Sequence, residues 1–209
     1  MLTDDLYKFN FTNRILSTPK GSAYLRIGEG CSNKCAYCAI PLIRGEYISR
    51  PFDEIMEEAK LLAEDGVKEL TIIAQDTSKY GTDLENMSLA KLLSSIAELN
   101  AFKWIRVLYM YPDEITEELL DVFEKYDCIV KYFDIPIQHA SNRLLTLMNR
   151  RGTKEMIADL ISTIRKRIPT AIIRTTLIVG FPTETTKDFN ELLTLLQKCL
   201  LGRRIFIFL

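Results

Sequence analysis

Apolar residues return along this chain in two alternating rhythms. Short runs rich in branched and aromatic side chains alternate with longer segments in which apolar positions recur every three or four residues. Residues 23–27 predict a first strand. Residues 53–63 predict a helix with Ile55, Ala59 and Leu62 on one face and Gly66 as its stop. Residues 70–74 form a second strand ending at Gln75-Asp76, and Ser88 caps a helix carrying Leu89, Leu92, Leu93 and Ile96. A third strand over 104–110 is ended by Pro112, and a helix over 115–126 turns Leu119, Leu120 and Phe123 inward. A fourth strand over 130–135 stops at Pro136. Ser141 then opens a short helix, and Thr153 opens a longer one that carries Met156, Ile157, Leu160, Ile161 and Ile164 as far as Pro169. Residues 171–179 are a fifth strand. Thr185, with Asp188 three residues on, starts a helix through Phe189, Leu192, Leu193 and Leu196, and residues 205–209 predict a sixth strand.

Six β–α repeats predict an α/β fold with a parallel sheet and helices outside it. An open doubly wound sheet and a partial barrel both satisfy the pattern. In either, active residues gather at the C-terminal ends of the strands. That rule groups the cysteines after the first strand with Gln75-Asp76, Tyr109 to Asp113, Gln138-His139 and Gly180 to Glu184. Residues 1–20 read as a lead-in and residues 21–209 as one domain.

Composition narrows the function. The chain has 209 residues, 47% hydrophobic and 26% charged, with 27 Lys+Arg against 28 Asp+Glu. A net charge of −1 carries no basic excess, which argues against a nucleic-acid partner for this domain. Apolar runs fall well short of the roughly 18 residues of a membrane span. Met1 to Asn10 holds two acids and no apolar centre, unlike a secretory signal. A cytoplasmic protein without a membrane partner is expected, and its cysteines are then reduced thiols open to metals.

Three of the five cysteines fall within Cys31-Ser32-Asn33-Lys34-Cys35-Ala36-Tyr37-Cys38. Thiolates suit zinc or iron–sulfur clusters. An electron-transfer cluster uses four cysteines, and structural zinc also takes four ligands. Three thiolates on a cubane leave one iron free to bind a substrate or cofactor. The alternative is a zinc knuckle completed by His139 or Cys128. Cys128 and Cys199 stand alone and read as buried apolar residues.

The spacing C-x3-C-x-aromatic-C after the first strand resembles the radical S-adenosylmethionine (SAM) enzymes, with Tyr37 in the aromatic slot. The flanks Tyr24-Leu25-Arg26-Ile27-Gly28-Glu29-Gly30, Ile40-Pro41-Leu42-Ile43-Arg44-Gly45-Glu46 and Ser49-Arg50-Pro51 resemble its methylthiotransferase family. Ala74-Gln75-Asp76-Thr77-Ser78-Lys79-Tyr80-Gly81 and Asp134-Ile135-Pro136-Ile137-Gln138-His139-Ala140-Ser141 resemble the branch acting on an aspartate of a small-subunit ribosomal protein. The tRNA-modifying branch, the alternative, differs at both. Arg174 to Pro182 matches as well, and the likeness covers about residues 24–196.

The resemblance implies a partial (β/α)6 barrel, cut short at its last strand. It implies a [4Fe-4S] cluster on Cys31, Cys35 and Cys38, and SAM on the open iron. A ribosomal protein would be the substrate, and a flavodoxin or ferredoxin the electron donor. The family also has an N-terminal domain holding a second cluster and a C-terminal TRAM domain. Both are expected only in a full-length protein, so this core is expected to cleave SAM but not to insert sulfur. A truncated, non-catalytic metal-binding domain is the remaining alternative.

The resemblance also suggests roles, each beside a plainer reading. Tyr37 would contact adenine, or pack in the core. Gln75 and Asp76 would bind the methionine end of SAM, or form a turn and cap. Gln138 and His139 would touch ribose or substrate, or satisfy backbone groups, and the lone His139 reads first as a structural hydrogen-bonder. Arg174 would hold the SAM carboxylate with its planar fork, or sit as a surface charge. Gly180 would let the backbone approach adenine, or only permit a turn. Arg44 and Arg50 would contact SAM or the acidic target, or pair with Glu46.

Overall fold

In a computed structural model, residues 16–200 and 205–208 are described. The first strand, β1, is Ser22–Arg26, and a two-residue strand β2 follows at Gly28–Glu29. Helix α1, Ile40–Arg44, leads to β3, Ile48–Ser49, then to α2, Phe52–Glu64, and β4, Glu69–Ile73. Helix α3, Leu89–Glu98, precedes β5, Trp104–Val107, and α4, Glu117–Lys125, precedes β6, Tyr132–Asp134. Helices α5, Asn142–Leu147, and α6, Lys154–Arg167, lead to β7, Ile172–Thr176. Then come α7, Thr186–Leu195, a π-helical turn at Leu196–Leu200, and β8, Ile205–Phe208.

β1, β4 and β5 pair in parallel, as do β6, β7 and β8. A parallel bridge between Ile105 and Ile129 joins the two sets. It is flanked by bonds from Ile105 N to Cys128 O and from Val130 N to Ile105 O, at 2.7 and 2.9 Å. The six parallel strands therefore follow one another in chain order, as in an incomplete (β/α) barrel, and the doubly wound alternative is set aside. β2 and β3 form an antiparallel ribbon outside this wall.

The helices form where expected because their ends are capped and one face of each is apolar. The Ser88, Thr116 and Thr153 hydroxyls accept from Lys91, Leu119 and Met156 backbone N–H groups. Thr185 and Asp188 complete a capping box. The apolar faces then meet the outward faces of the strands, where Leu25, Ile72, Ile105, Phe133 and Ile164 are fully or almost fully buried. Phe123 and Phe133 stack within this layer, with ring centroids 4.5 Å apart.

Some strands are shorter than expected. β5 ends at Val107, before the left-handed Tyr109 (φ 60°), and β7 ends at Thr176, with only an isolated bridge from Leu177 to Gln138 beyond it. The backbone pairing of 205–208 agrees with the sixth strand, while residue 209, the Cys199 side chain and the first fifteen residues of the lead-in lie outside the described residues. Among the described residues no helix is long and apolar enough to cross a membrane.

Replacing Phe133 by Ala removes both the stacked ring and a fully buried volume. It should cost about 3–5 kcal/mol of stability, read as a lower midpoint in urea denaturation followed by circular dichroism.

Candidate functional site

The strand ends converge on one mouth, and their backbones turn sharply there. Gly30 (φ 76°), Tyr109 (φ 60°), Gln138 (φ 68°) and Gly180 (φ 73°) all lie in the left-handed region. For Tyr109 and Gln138 this costs on the order of 1–3 kcal/mol each, a cost that surrounding bonds must offset. Gln138 N donates to Thr176 O and Gln138 O accepts from Ile178 N. Tyr109 N donates to a carboxylate oxygen of Asp134 at 3.3 Å. Gly30 is required on steric grounds as well, since a Cβ there would overlap the Glu46 carbonyl oxygen.

The cysteines occupy the loop after the β2 strand. Cys31, Cys35 and Cys38 are free thiols of intermediate exposure. Burial pushes the Cys31 thiol up, with nearby Asp76 and Cys35 adding to the effect against hydrogen bonding from Asn33. Two parts of the chain grip the loop. On one side Cys31 N donates to Gly45 O, and Tyr47 N donates to Ser32 Oγ, both at 3.1 Å. On the other, Ala36 N donates to Met148 O at 2.9 Å and Asn149 Nδ2 donates to Lys34 O at 2.8 Å.

Below the loop, Asp76 is buried (2% exposed) and accepts from Asn33 Nδ2 at 2.7 Å and from Ser78 Oγ. Ser78 in turn accepts from Tyr111 N. Burial raises the Asp76 carboxyl, and its two donors oppose this only in part. The structure thus uses Asp76 to anchor the cysteine loop to the end of β4.

Gln75 points elsewhere. Its Nε2 donates to Glu29 at 3.1 Å, while its buried Oε1 has no partner among the described residues. Gln75 lines a cavity of about 590 Å³ with Tyr24, Arg26, Ile73, Leu108 and Tyr109, and Ile40 closes the cysteine-loop side. Glu29 gathers Arg26, Arg44 and Gln75 at one edge of this cavity. The Gln138 Oε1 is likewise buried and unpartnered.

Other expected residues separate from this cavity or bind protein groups. Tyr37 is 40% exposed, and its hydroxyl accepts from Arg150 at 3.3 Å. Burial pushes it up to about 12, against the pull of Arg150. Both ring nitrogens of the fully buried His139 are engaged. Its Nδ1 accepts from Ser141 N at 2.9 Å, and its Nε2 faces Glu184 Oε1 at 3.3 Å. The second Glu184 oxygen accepts from Gly180 N and Phe181 N, so His139 braces the turn after β7. Open space surrounds the Cβ position of Gly180.

Arg174 is not a surface charge. Its Nη1 reaches both Asp134 carboxylate oxygens at 2.8 Å. Arg44 and Arg50 do not pair with Glu46, the near neighbour in sequence. Arg44 lies 3.7 Å from Glu29, and Arg50 donates to the buried Glu58 at 2.6 Å and to Arg26 O. Cys128 is half-buried against the core, between β5 and β6.

Arg150 is a site residue that sequence reasoning missed. It touches Cys35 Sγ at 3.9 Å and Tyr37, and its other arm donates to Pro136 O at 2.6 Å. The only signal for it is a pair of arginines just past a short helix at the mouth. Asn33, Glu29 and Asp134 were also missed.

The donor set fits an iron–sulfur cluster. Three soft thiols share one loop, a cationic side chain contacts one of them, and His139 and Cys128 are used elsewhere.

The Radical SAM superfamily profile matches residues 25–196. The chain is 59% identical over 186 residues to the ribosomal protein uS12 methylthiotransferase RimO of Clostridioides difficile, covering 88% of this chain and 42% of that protein. It is 51% identical over 193 residues to the RimO of Caldicellulosiruptor saccharolyticus, covering 90% of this chain and 44% of that one. The chain thus spans less than half the length of these curated relatives. Among solved structures, the radical SAM methyltransferase TsrM from Kitasatospora setae superposes with a TM-score of 0.72 at 17% identity, covering 94% of this chain and 39% of that one. Streptococcus suis SuiB, bound to its precursor peptide SuiA, gives 0.63 at 16% identity, with 92% and 40% covered. These two likenesses speak for the fold, an incomplete α/β barrel. A sequence match running through the cysteine loop and both halves of the barrel means that this chain belongs to the radical SAM superfamily, which works with a [4Fe-4S] cluster and SAM.

Proposed function

We propose that this chain is the catalytic core of a methylthiotransferase that modifies an aspartate of the small-subunit ribosomal protein uS12. One observation carries the reading of the core: three free thiols lie on the loop after the first strands, at the same strand ends as a cavity lined by Ile40 and edged by the Gln75 oxygen, which has no partner among the described residues. The uS12 target follows from the likeness to the RimO proteins. Cys31, Cys35 and Cys38 would hold the cluster. When bound, it supplies an open iron and one electron for reductive cleavage of SAM.

The chain's own groups do the rest of the positioning. The Gln75 Oε1 is an acceptor suited to an ammonium group, and Arg26, shared with Glu29, presents a cation suited to a carboxylate. Tyr37 and the open backbone at Gly180 would border the adenosine end, with Gln138 supplying an acceptor near the ribose. Arg174 would act through Asp134 and Tyr109, fixing the left-handed turn at the mouth. Tyr24 and Tyr109, 49% and 45% exposed, offer flat apolar surface to a substrate segment.

The relatives' names favour a protein target over tRNA, in line with the near-neutral charge. Domains beyond this core would carry the second cluster and the sulfur-inserting step, and a small ferredoxin or flavodoxin would deliver the electron in the cytoplasm.

Anaerobic reconstitution with iron and sulfide should give a brown protein that forms 5′-deoxyadenosine from SAM when a strong reductant is added. A colourless product holding one zinc ion defeats the proposal. Replacing Cys35 by Ala should abolish SAM cleavage and lower bound iron, measured by chromatography and by iron analysis. Undiminished cleavage by that variant would remove Cys35 from the ligand set.

A further inference from the structure

Among the described residues, the guanidinium groups around the mouth are neutralised by carboxylates, with one exception. Arg174 pairs with Asp134, Arg50 with Glu58, and Arg151 with Asp113 and Glu114. Arg150 is only 9% exposed and forms no ion pair with a carboxylate among the described residues. Its partners are Pro136 O at 2.6 Å, the Tyr37 hydroxyl at 3.3 Å, the Tyr111 ring at 4.1 Å from its centroid, and Cys35 Sγ at 3.9 Å. A buried guanidinium without an anion is costly, so its position calls for negative charge nearby. The group it reaches that carries such charge as a metal ligand is the Cys35 thiolate.

The geometry points to Arg150 as a positioning residue that sets the reduction potential of the cluster through the Cys35 sulfur. This rests on the cluster assignment proposed above. Reduction adds one electron, and so one negative charge, to the thiolate-bound group. A fixed cation against a ligand sulfur favours that reduced form and raises the potential. The Tyr111 ring and Pro136 carbonyl hold the planar group in register, so it cannot swing away to solvent. The neighbouring Arg151 also lies over Tyr111, at 5.0 Å, but its charge is spent on Asp113 and Glu114.

The test uses the full chain, reconstituted anaerobically with iron and sulfide and titrated potentiometrically with detection by electron paramagnetic resonance. SAM is left out, so that contacts to it do not contribute. Arg150→Met keeps the bulk and removes the charge. It should make reduction about tenfold less favourable, a midpoint about 59 mV more negative. Arg150→Lys keeps the charge without the planar fork and should stay within about threefold of the unmodified chain.

An Arg150→Met cluster with an unmoved or more positive midpoint overturns the inference while leaving the cluster assignment intact. If the Met variant holds no cluster, the Lys variant decides: a cluster with near-normal midpoint supports the role of charge, and loss of the cluster there too reduces Arg150 to packing. An unmodified chain that binds no iron overturns the cluster assignment, and this inference with it.

Discussion

The loop proposed to present three thiols to one cofactor has little regular bonding of its own. Between Cys31 and Cys38 the backbone makes one internal hydrogen bond, from Cys38 N to Cys35 O at 3.0 Å. Its shape is therefore imposed from outside. The segment from Met148 to Arg151 supplies a carbonyl to Ala36, an amide to Lys34, a guanidinium to Cys35 and Tyr37, and another to Asn33. Asp76 holds Asn33 from below. Each such bond is worth about 1 kcal/mol net, and the charged ones more. Together they fix the loop without any regular element passing through it.

The grip crosses the two halves of the barrel. Cys31 follows β1 and β2, Asp76 follows β4, Tyr111 follows β5, and Met148 to Arg151 follow β6. Pairing between β5 and β6 is thin, resting on the bridge at Ile105 and the bond from Met110 N to Asp134 O. The contacts above the mouth thus do part of the joining that a continuous sheet would do. Site and fold share the same bonds, so disturbing the 148–151 segment loosens both the cysteines and the seam beneath them.

Much of this was legible because the relevant signals are local. The change of period from strand to helix placed the barrel's elements, and hydroxyl caps at Ser88, Thr153 and Thr185 set helix starts within a residue or two. The cysteine spacing marked the loop proposed to hold the ligands, and the structure sets that loop at the end of the first strands. The ribbon of β2 and β3 was not visible, because strands of two residues show no alternation. Helix α1 was hidden because it buries none of its residues, so no apolar stripe marks it. Arginine partners were also hidden. Sequence proximity offered Glu46 to Arg44 and Arg50, but folding brings Glu29 and Glu58 closer. Arg150 lies in a polar dibasic stretch without local pattern, and only tertiary packing buries it against Tyr111.

The inner wall of the barrel shows why chemistry can occupy it at small cost to stability. In a closed (β/α)8 barrel the interior is a packed core of aliphatic layers. Here the inward positions of neighbouring strands carry Tyr24, Arg26, Arg106, Asp134 and Arg174, and they meet through ion pairs and ring contacts. Arg106 pairs with Glu69 at 3.0 Å and lies over Tyr132, while Arg174 is matched to Asp134 directly across β6 and β7. The partly exposed Arg106–Glu69 pair adds little to folding, while the buried Asp134 relies on Arg174 to match its charge. The burial that holds the protein together lies on the other side of the strands, where Ala23, Leu25, Leu70, Ile72, Ile105 and Val107 face the helices. Separating the stabilising face from the polar one leaves the inner wall free to bind charged ligands, and keeps substitutions there from reaching the core.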